Sequence, residues 1–182
     1  MGPSRAYHSP DVQLFLSDIG LLHVIAEAMI KIAHPNQHRW IHERRAALWR
    51  DRPSTWQWVA PSQSCQLIVN RETLFHRDQH SVPTFFDILV SWGAYENQAY
   101  LGLQSLGVAV PYTSGSVSIL LARVIEHGVP PIMPERIAFA YFNRVDVCKY
   151  WAQGDVEVEL PCLDDYHRKL NEMSEEIRLS TM

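Results

Sequence analysis

The sequence predicts a mixed α+β fold: a double-stranded β-helix, or jelly roll, buttressed by N-terminal helices and followed by a C-terminal helix. Three observations carry that prediction. Apolar residues recur at helical spacing over 11–33, short β-rich runs succeed one another from 65 to 142, and Gly, Pro, Asn and Ser separate those runs. Many short strands with closely spaced turn signals favour two packed antiparallel sheets. A chain of 182 residues is one domain by length and can bury about 70% of its unfolded surface. The expected division within 1–182 is a helical buttress at 10–52, a jelly-roll core at 56–147, and a tail and helix over 148–182.

Taken in order, Val12, Phe15, Leu16, Ile19, Leu22, Ile25, Ala28, Met29 and Ile32 give 11–33 one apolar stripe, with Ser9-Pro10 as its start. His34-Pro35-Asn36 breaks the pattern, and a second helix runs over 36–50 until Pro53 stops it. Trp56, Trp58 and Val59 alternate as a strand would, and 65–70 reads as the strand entering the region of interest. Further strands are expected at 84–92, 99–103, 107–112, 117–126 and 136–142. Thr113-Ser114-Gly115-Ser116 is a turn, 128–134 a proline-rich connection, and 164–179 a helix.

Composition narrows the partners. Cys65, Cys148 and Cys162 are odd in number and lack metal or disulfide spacing, which favours a reducing intracellular setting. The early apolar stretch 14–32 is interrupted by Asp18, Glu27 and Lys31, so neither a signal peptide nor a membrane span is expected. A net charge of −4 argues against gripping nucleic acid through the whole surface. The charges are nonetheless uneven. Arg39, Arg44 and Arg45 fall in a basic segment, 38–52, whereas 155–176 is acidic. That segment is either a face that contacts phosphates or a solvated helix face of mixed charge.

The chemistry is concentrated in His76-Arg77-Asp78 and the later His127. On a strand, residues two apart share a face, so His76 and Asp78 reach one ion together, with His127 coming from a neighbouring strand. Two imidazoles and a carboxylate on one triangular face, with the remaining positions open, are the ligand set of non-haem iron(II) oxygenases. An isolated His-x-Asp has a plainer reading as a polar strand end. His80, two beyond Asp78, is a rival by spacing and is read here as a surface residue. The downstream sequence adds context: 124–130 is an apolar run ending in a turn, and Arg136 opens the apolar strand 136–142.

The ordered set of His-x-Asp, a histidine about fifty residues on and an arginine about ten further resembles the iron(II)/2-oxoglutarate-dependent dioxygenases. Within them it is similar to the TET/JBP group, and in particular to its short fungal members. The residues carrying the resemblance are 70–78, 86–93, His127-Gly128-Val129-Pro130 and 136–144. The resemblance implies iron(II), 2-oxoglutarate and dioxygen as cofactor and cosubstrates, with His76, Asp78 and His127 as ligands. It implies that Arg136 pairs with the distal carboxylate of 2-oxoglutarate through its planar fork. It also points to Arg71 as a second cosubstrate contact, with Asn70 assisting by hydrogen bonding. Phe142 falls where such enzymes place a ring against a flipped base, although core packing is an equal alternative.

The implied reaction is oxidation of a methyl group on a nucleic-acid base, 5-methylcytosine first and N6-methyladenine second. Methylated DNA or RNA is then the partner, and a nuclear location follows if DNA is the substrate. Two positions depart from the family pattern. Ser81 stands where an Asn or Asp usually reads the base edge, and Arg144 stands where a histidine is usual. Ala138 and Ala140 lack the hydroxyl that often helps hold 2-oxoglutarate, which leaves Tyr112 or Arg71 to compensate. These departures keep open the same chemistry on a free small molecule. A non-catalytic binding domain would be the reading if the ligand residues failed to converge.

Overall fold

A computed structural model describes residues 9–55, 58–95, 99–131, 135–153 and 156–160, together with a few positions from 168 onward. The described residues begin with three helices: α1 (Pro10–Asp18), α2 (Gly20–Ala33) and α3 (Pro35–Asp51). The single helix expected over 11–33 is therefore two, joined at Ile19, whose φ of −88° and ψ of 9° leave the helical region. Gly20 comes directly after it, the poorest helix former short of proline. α3 begins at Pro35, whose fixed φ suits a first turn. His34 caps it, with Nδ1 accepting from the Gln37 N–H at 3.3 Å. No helix among the described residues is long and apolar enough to cross a membrane.

Among the described residues eight strands come next: β1 (Ser64–Val69), β2 (Thr73–His76), β3 (Asp87–Gly93), β4 (Tyr100–Leu103), β5 (Val108–Pro111), β6 (Val117–Leu120), β7 (His127–Val129) and β8 (Arg136–Phe142). They form two four-stranded antiparallel sheets in the orders β1-β8-β3-β6 and β2-β7-β4-β5. This is the jelly roll that the strand spacing predicts. Two expectations fail locally. The run 117–126 is a strand only to Leu120, after which a turn intervenes, and His127 belongs to a separate three-residue strand rather than to a strand end. Val145–Ala152 forms a helix, α4, that the sequence pattern does not announce. Trp56, Cys162 and most of 164–179 lie outside the described residues, and Trp58 and Val59 are in irregular backbone.

Alternation along β8 organises the molecule. Phe139 and Tyr141 join Ala26 and Ile30 of α2 with Ile88 and Val90 of β3 in one buried cluster. Arg136, Ala138, Ala140 and Phe142 line the space between the sheets. A second cluster, Tyr95, Ala99, Leu101, Tyr112 and Val129, closes one side of that space. α3 fixes the entry to β3, because the Gln37 carboxamide accepts from the Phe86 N–H at 2.7 Å and donates to the Phe86 carbonyl at 2.9 Å. His34 adds a bond from Nε2 to the Thr84 carbonyl at 3.0 Å. Buried main-chain groups outside a sheet need such partners.

Candidate active site

The two histidines are brought together by strand register. His76 at the end of β2 and His127 at the start of β7 are directly paired, with ring centroids 4.5 Å apart. Asp78, two residues past His76, carries its carboxylate to both rings, 3.4 Å from His76 Nε2 and 3.9 Å from His127 Nε2. The three offer one ligand atom each, all within 4.8 Å of one another, and no other cluster of this kind occurs among the described residues. His80 is not part of it.

The remaining ring nitrogens are already committed. His76 Nδ1 lies 2.8 Å from the Leu74 carbonyl, and His127 Nδ1 lies 3.0 Å from the Ile125 carbonyl. A carbonyl can only accept, so each Nδ1 carries the proton and each Nε2 presents its lone pair to the common centre. Burial lowers the pKa of His127 below the ordinary value, which keeps the imidazole neutral as ligation requires. These donors fit a divalent transition metal held on one face by two nitrogens and one oxygen.

A cavity of about 450 Å³ opens beside the three residues. Arg136 lies in its wall and is 2% exposed. The construction around it is local. Asn70 adopts a left-handed φ of 47°, and its Oδ1 accepts from the N–H groups of Glu135 at 2.9 Å and Arg136 at 2.8 Å. Gly93, paired with Arg136 across the sheet, has a φ of 134° and leaves no room for a Cβ beside the Glu135 carbonyl. The guanidinium then donates to Ser91 Oγ at 3.2 Å and to the Arg71 carbonyl at 3.4 Å, and sits 5.1 Å from the Tyr112 ring centroid. Tyr95 holds Ser91 in turn: its hydroxyl donates to the Tyr112 carbonyl at 2.9 Å and accepts from Ser91 Oγ at 2.5 Å. Burial pushes the Tyr112 phenol up to about 12, so it stays neutral beside the cation.

The other sequence candidates divide. Arg71, Phe142, Ser81 and Arg144 line the cavity. Asn70 does not, since its side chain is spent on the start of β8. Ser81 and Arg144 pair directly in an isolated β-bridge, so the two departures from the family pattern are neighbours in space.

The phosphate-contact reading of α3 fails for Arg45 alone, whose guanidinium is committed inside the fold. No α3 residue lines the cavity. Arg45 is 6% exposed and bonded to Glu27 at 2.8 and 3.3 Å and to the carbonyls of Val59 and Ala60 at 2.9 and 3.0 Å. It shares the buried face of α3 with Gln37 and Ile41, a placement set by the four-residue spacing and not by charge. Arg44 lies against the Trp40 ring at 5.4 Å, and Arg39 is exposed.

Sequence reasoning missed Ser91 and Asp87. Both are polar residues inside apolar strand runs, which is the signal that would have found them. Asp87 is 2% exposed, lines the cavity and accepts from Ser81 Oγ at 2.7 Å. Burial pushes its carboxyl up to about 8, and the nearby Asp78 adds to the rise.

Comparison with known proteins agrees with this fold. The solved structure of NgTET1 in complex with 5mC DNA matches with a TM-score of 0.58 at 16% identity, covering 78% of this chain and 54% of that one. This chain thus spans about half the length of that relative, and the match establishes the jelly-roll fold. No curated protein sequence matches the chain. The sequence profile of Tet_JBP, the oxygenase domain of the 2OGFeDO superfamily, matches residues 13–153. The match covers most of the chain, which belongs to the Tet_JBP family of iron(II)- and 2-oxoglutarate-dependent dioxygenases.

Proposed function

We propose that the chain acts as a single dioxygenase domain that oxidises the methyl group of a nucleic-acid base in DNA, 5-methylcytosine first and N6-methyladenine second. The observation that carries this reading is the cavity. The His76, Asp78 and His127 cluster, the buried Arg136 and the Phe142 ring all line one space. The match to NgTET1, solved with 5mC DNA, supports the substrate class. A nuclear location accords with it.

In this reading His76 Nε2, His127 Nε2 and one Asp78 oxygen hold iron(II). Iron and 2-oxoglutarate supply the chemistry when bound: dioxygen is reduced, 2-oxoglutarate becomes succinate and carbon dioxide, and the methyl group gains a hydroxyl. The chain's own residues bind and orient. Arg136 takes the distal carboxylate of 2-oxoglutarate through a charge-assisted pair, with Tyr112 and Ser91 fixing the plane of its fork. Leu89, Leu101, Val129, Ala138 and Ala140 form an apolar wall that limits water near the reacting atoms. Phe142 offers a face on which a base taken out of its stack regains contact. Arg71, Arg77 and Arg144 also line the cavity and offer cations to the adjoining phosphates, beside the exposed Arg39 of α3.

Iron-loaded protein incubated with oligonucleotides bearing 5-methylcytosine or N6-methyladenine, with mass spectrometry of the nucleosides, tests the reading. The expected product is the hydroxylated base, formed only with 2-oxoglutarate and lost in Asp78→Ala. Succinate formation that methylated oligonucleotides neither stimulate nor couple to base oxidation would overturn it.

A further inference from the structure

His76 faces the cavity because β2 carries one residue more than β7 where the two strands pair. Thr73 stands opposite Val129 and His76 opposite His127, so Leu74 and Phe75 together oppose Gly128 alone. Two residues against one make a β-bulge, a device that re-aims a side chain. In a regular strand, side chains three apart point to opposite faces. Thr73 and His76 nonetheless both line the cavity, as Val129 and His127 do from β7, whereas Leu74 and Phe75 are exposed and line no part of it. The bulge also supplies a main-chain partner, since the Leu74 carbonyl accepts from His76 Nδ1 at 2.8 Å.

A pair of glycines meets the Phe75 ring on the outer face of the sheet. Gly128 of β7 and Gly102 of β4 are partners in register, and the ring lies across both. A Cβ on Gly102 would come within 2.8 Å of ring carbons Cε1 and Cζ. One on Gly128 would meet the ring at 3.1 Å, the Phe75 nitrogen at 3.0 Å and the Thr73 carbonyl oxygen at 2.9 Å. Neither glycine has a positive φ, so neither is needed for its conformational freedom. What each provides is room, a common reason for glycine inside a strand. Gly102 makes room for the ring, and Gly128 for the ring and the bulged main chain. Phe75 directly precedes His76, and Gly128 directly follows His127. The seat and the two imidazoles therefore lie back to back across one sheet.

We infer that Phe75 is a positioning residue for the metal site: seated on Gly128 and Gly102, its ring fixes the bulge that turns His76 towards His127 and Asp78. The inference rests on the reading of His76, Asp78 and His127 as the ligands and deepens it, giving the outer face of the sheet a part in building the inner one. Leu74 shares the bulge, yet its side chain is the more exposed of the two at 74% and takes no part.

Titration of the metal-free protein with cobalt(II), followed by visible absorption, tests this without turnover. Wild-type protein is expected to bind one ion per chain, and Asp78→Ala to lose it. Phe75→Ala should weaken binding about tenfold or more, the range for residues that support ligands from behind, and should alter the absorption bands as His76 turns away. Phe75→Tyr keeps the ring and should restore wild-type affinity. Leu74→Ala leaves the ring seated and should do no harm. Gly102→Ala should reproduce the loss, because its methyl takes the place of the ring. With the ring already gone the methyl displaces nothing, so Gly102→Ala added to Phe75→Ala should weaken binding no further. A role confined to stability would lower the melting temperature of the metal-free variants and leave cobalt(II) affinity and spectrum unchanged, which overturns the inference. A further loss in the double variant, or an equal loss in Leu74→Ala, does the same. Should Phe75→Ala fail to fold, Gly102→Ala decides, since wild-type affinity there is incompatible with a seated ring that positions His76. If Asp78→Ala binds cobalt(II) as wild type does, the ligand reading falls and takes this inference with it. Loss in Asp78→Ala with full binding in Phe75→Ala removes this inference alone.

Discussion

Arg45 and Arg136 are both nearly excluded from solvent, at 6% and 2% exposure, yet their surroundings are opposite. Arg45 is charge-paired: the Glu27 carboxylate accepts from both terminal nitrogens and the carbonyls of Val59 and Ala60 accept from Nη1, with Nε alone left without a partner. Its charge is neutralised inside the fold, between the helices and the segment that leads to β1. Arg136 has a serine hydroxyl, a weak 3.4 Å contact to a carbonyl and an aromatic face, and no carboxylate partner among the described residues. A buried cation is costly unless paired. An arginine that the fold has neutralised is structural, whereas one that faces a cavity without a counter-ion is poised for an anionic ligand.

Substitution should separate the two. The largest effect is expected from Arg136→Ala. Losing a desolvated, charge-assisted contact to 2-oxoglutarate should raise its apparent Michaelis constant roughly hundredfold, with little loss of melting temperature. Lys at 136 should restore only part of this, because it lacks the fork. An unchanged Michaelis constant in steady-state assays would assign the anchor elsewhere. Arg45→Ala should show the converse, a stability loss of about 2 kcal/mol by denaturant titration, with the Michaelis constant for 2-oxoglutarate unaltered. That figure is discounted because Glu27 retains some access to water.

The effect confined to acid pH concerns His23, which lies fully buried beside Tyr141 and Trp58 with neither ring nitrogen hydrogen-bonded. Burial, and after it the Arg45 charge, lowers it to about 4, while Glu27 acts in the opposite sense. The folded state therefore binds the proton less readily than the unfolded chain. Its contribution to stability is complete above about pH 6.5 and falls as pH drops towards 4, with a slope of at most about 1.4 kcal/mol per pH unit. Thermal melts from pH 7 to 4 should show this slope reduced in His23→Phe. In Arg45→Ala the midpoint of the effect should move to higher pH. Equal slopes in all three proteins would remove His23 from the account.

How legible each feature is in the sequence depends on how far local pattern determines it. β8 is legible to the residue because Arg136 and the alternation of Ile137, Phe139 and Tyr141 with smaller inward residues mark a strand with two different faces. The cluster of His76, Asp78 and His127 is legible from type and spacing. β7 is not, because three residues held on both sides by β2 and β4 owe their conformation to neighbours and not to propensity. Arg45 is misread since charge alone places an arginine outside, and only Glu27, from another helix, reverses that expectation. Asp87 escapes notice for the same reason: its partner Ser81 lies in a different segment, and its burial is a property of the assembled sheets.

The register of β2 against β7 bears on assembly as well as on chemistry. The pairing is irregular between Thr73 and His76, and the strands meet squarely only at Thr73 with Val129 and at His76 with His127. Because side chains alternate faces, sliding one strand by a single residue would turn one imidazole out of the cavity and dissolve the ligand set. Short strands with few fixed pairings are the ones most exposed to such slippage. Two coordinating side chains directly opposite each other thus act as a proofreading mark for folding, since only the correctly aligned chain can capture an ion there.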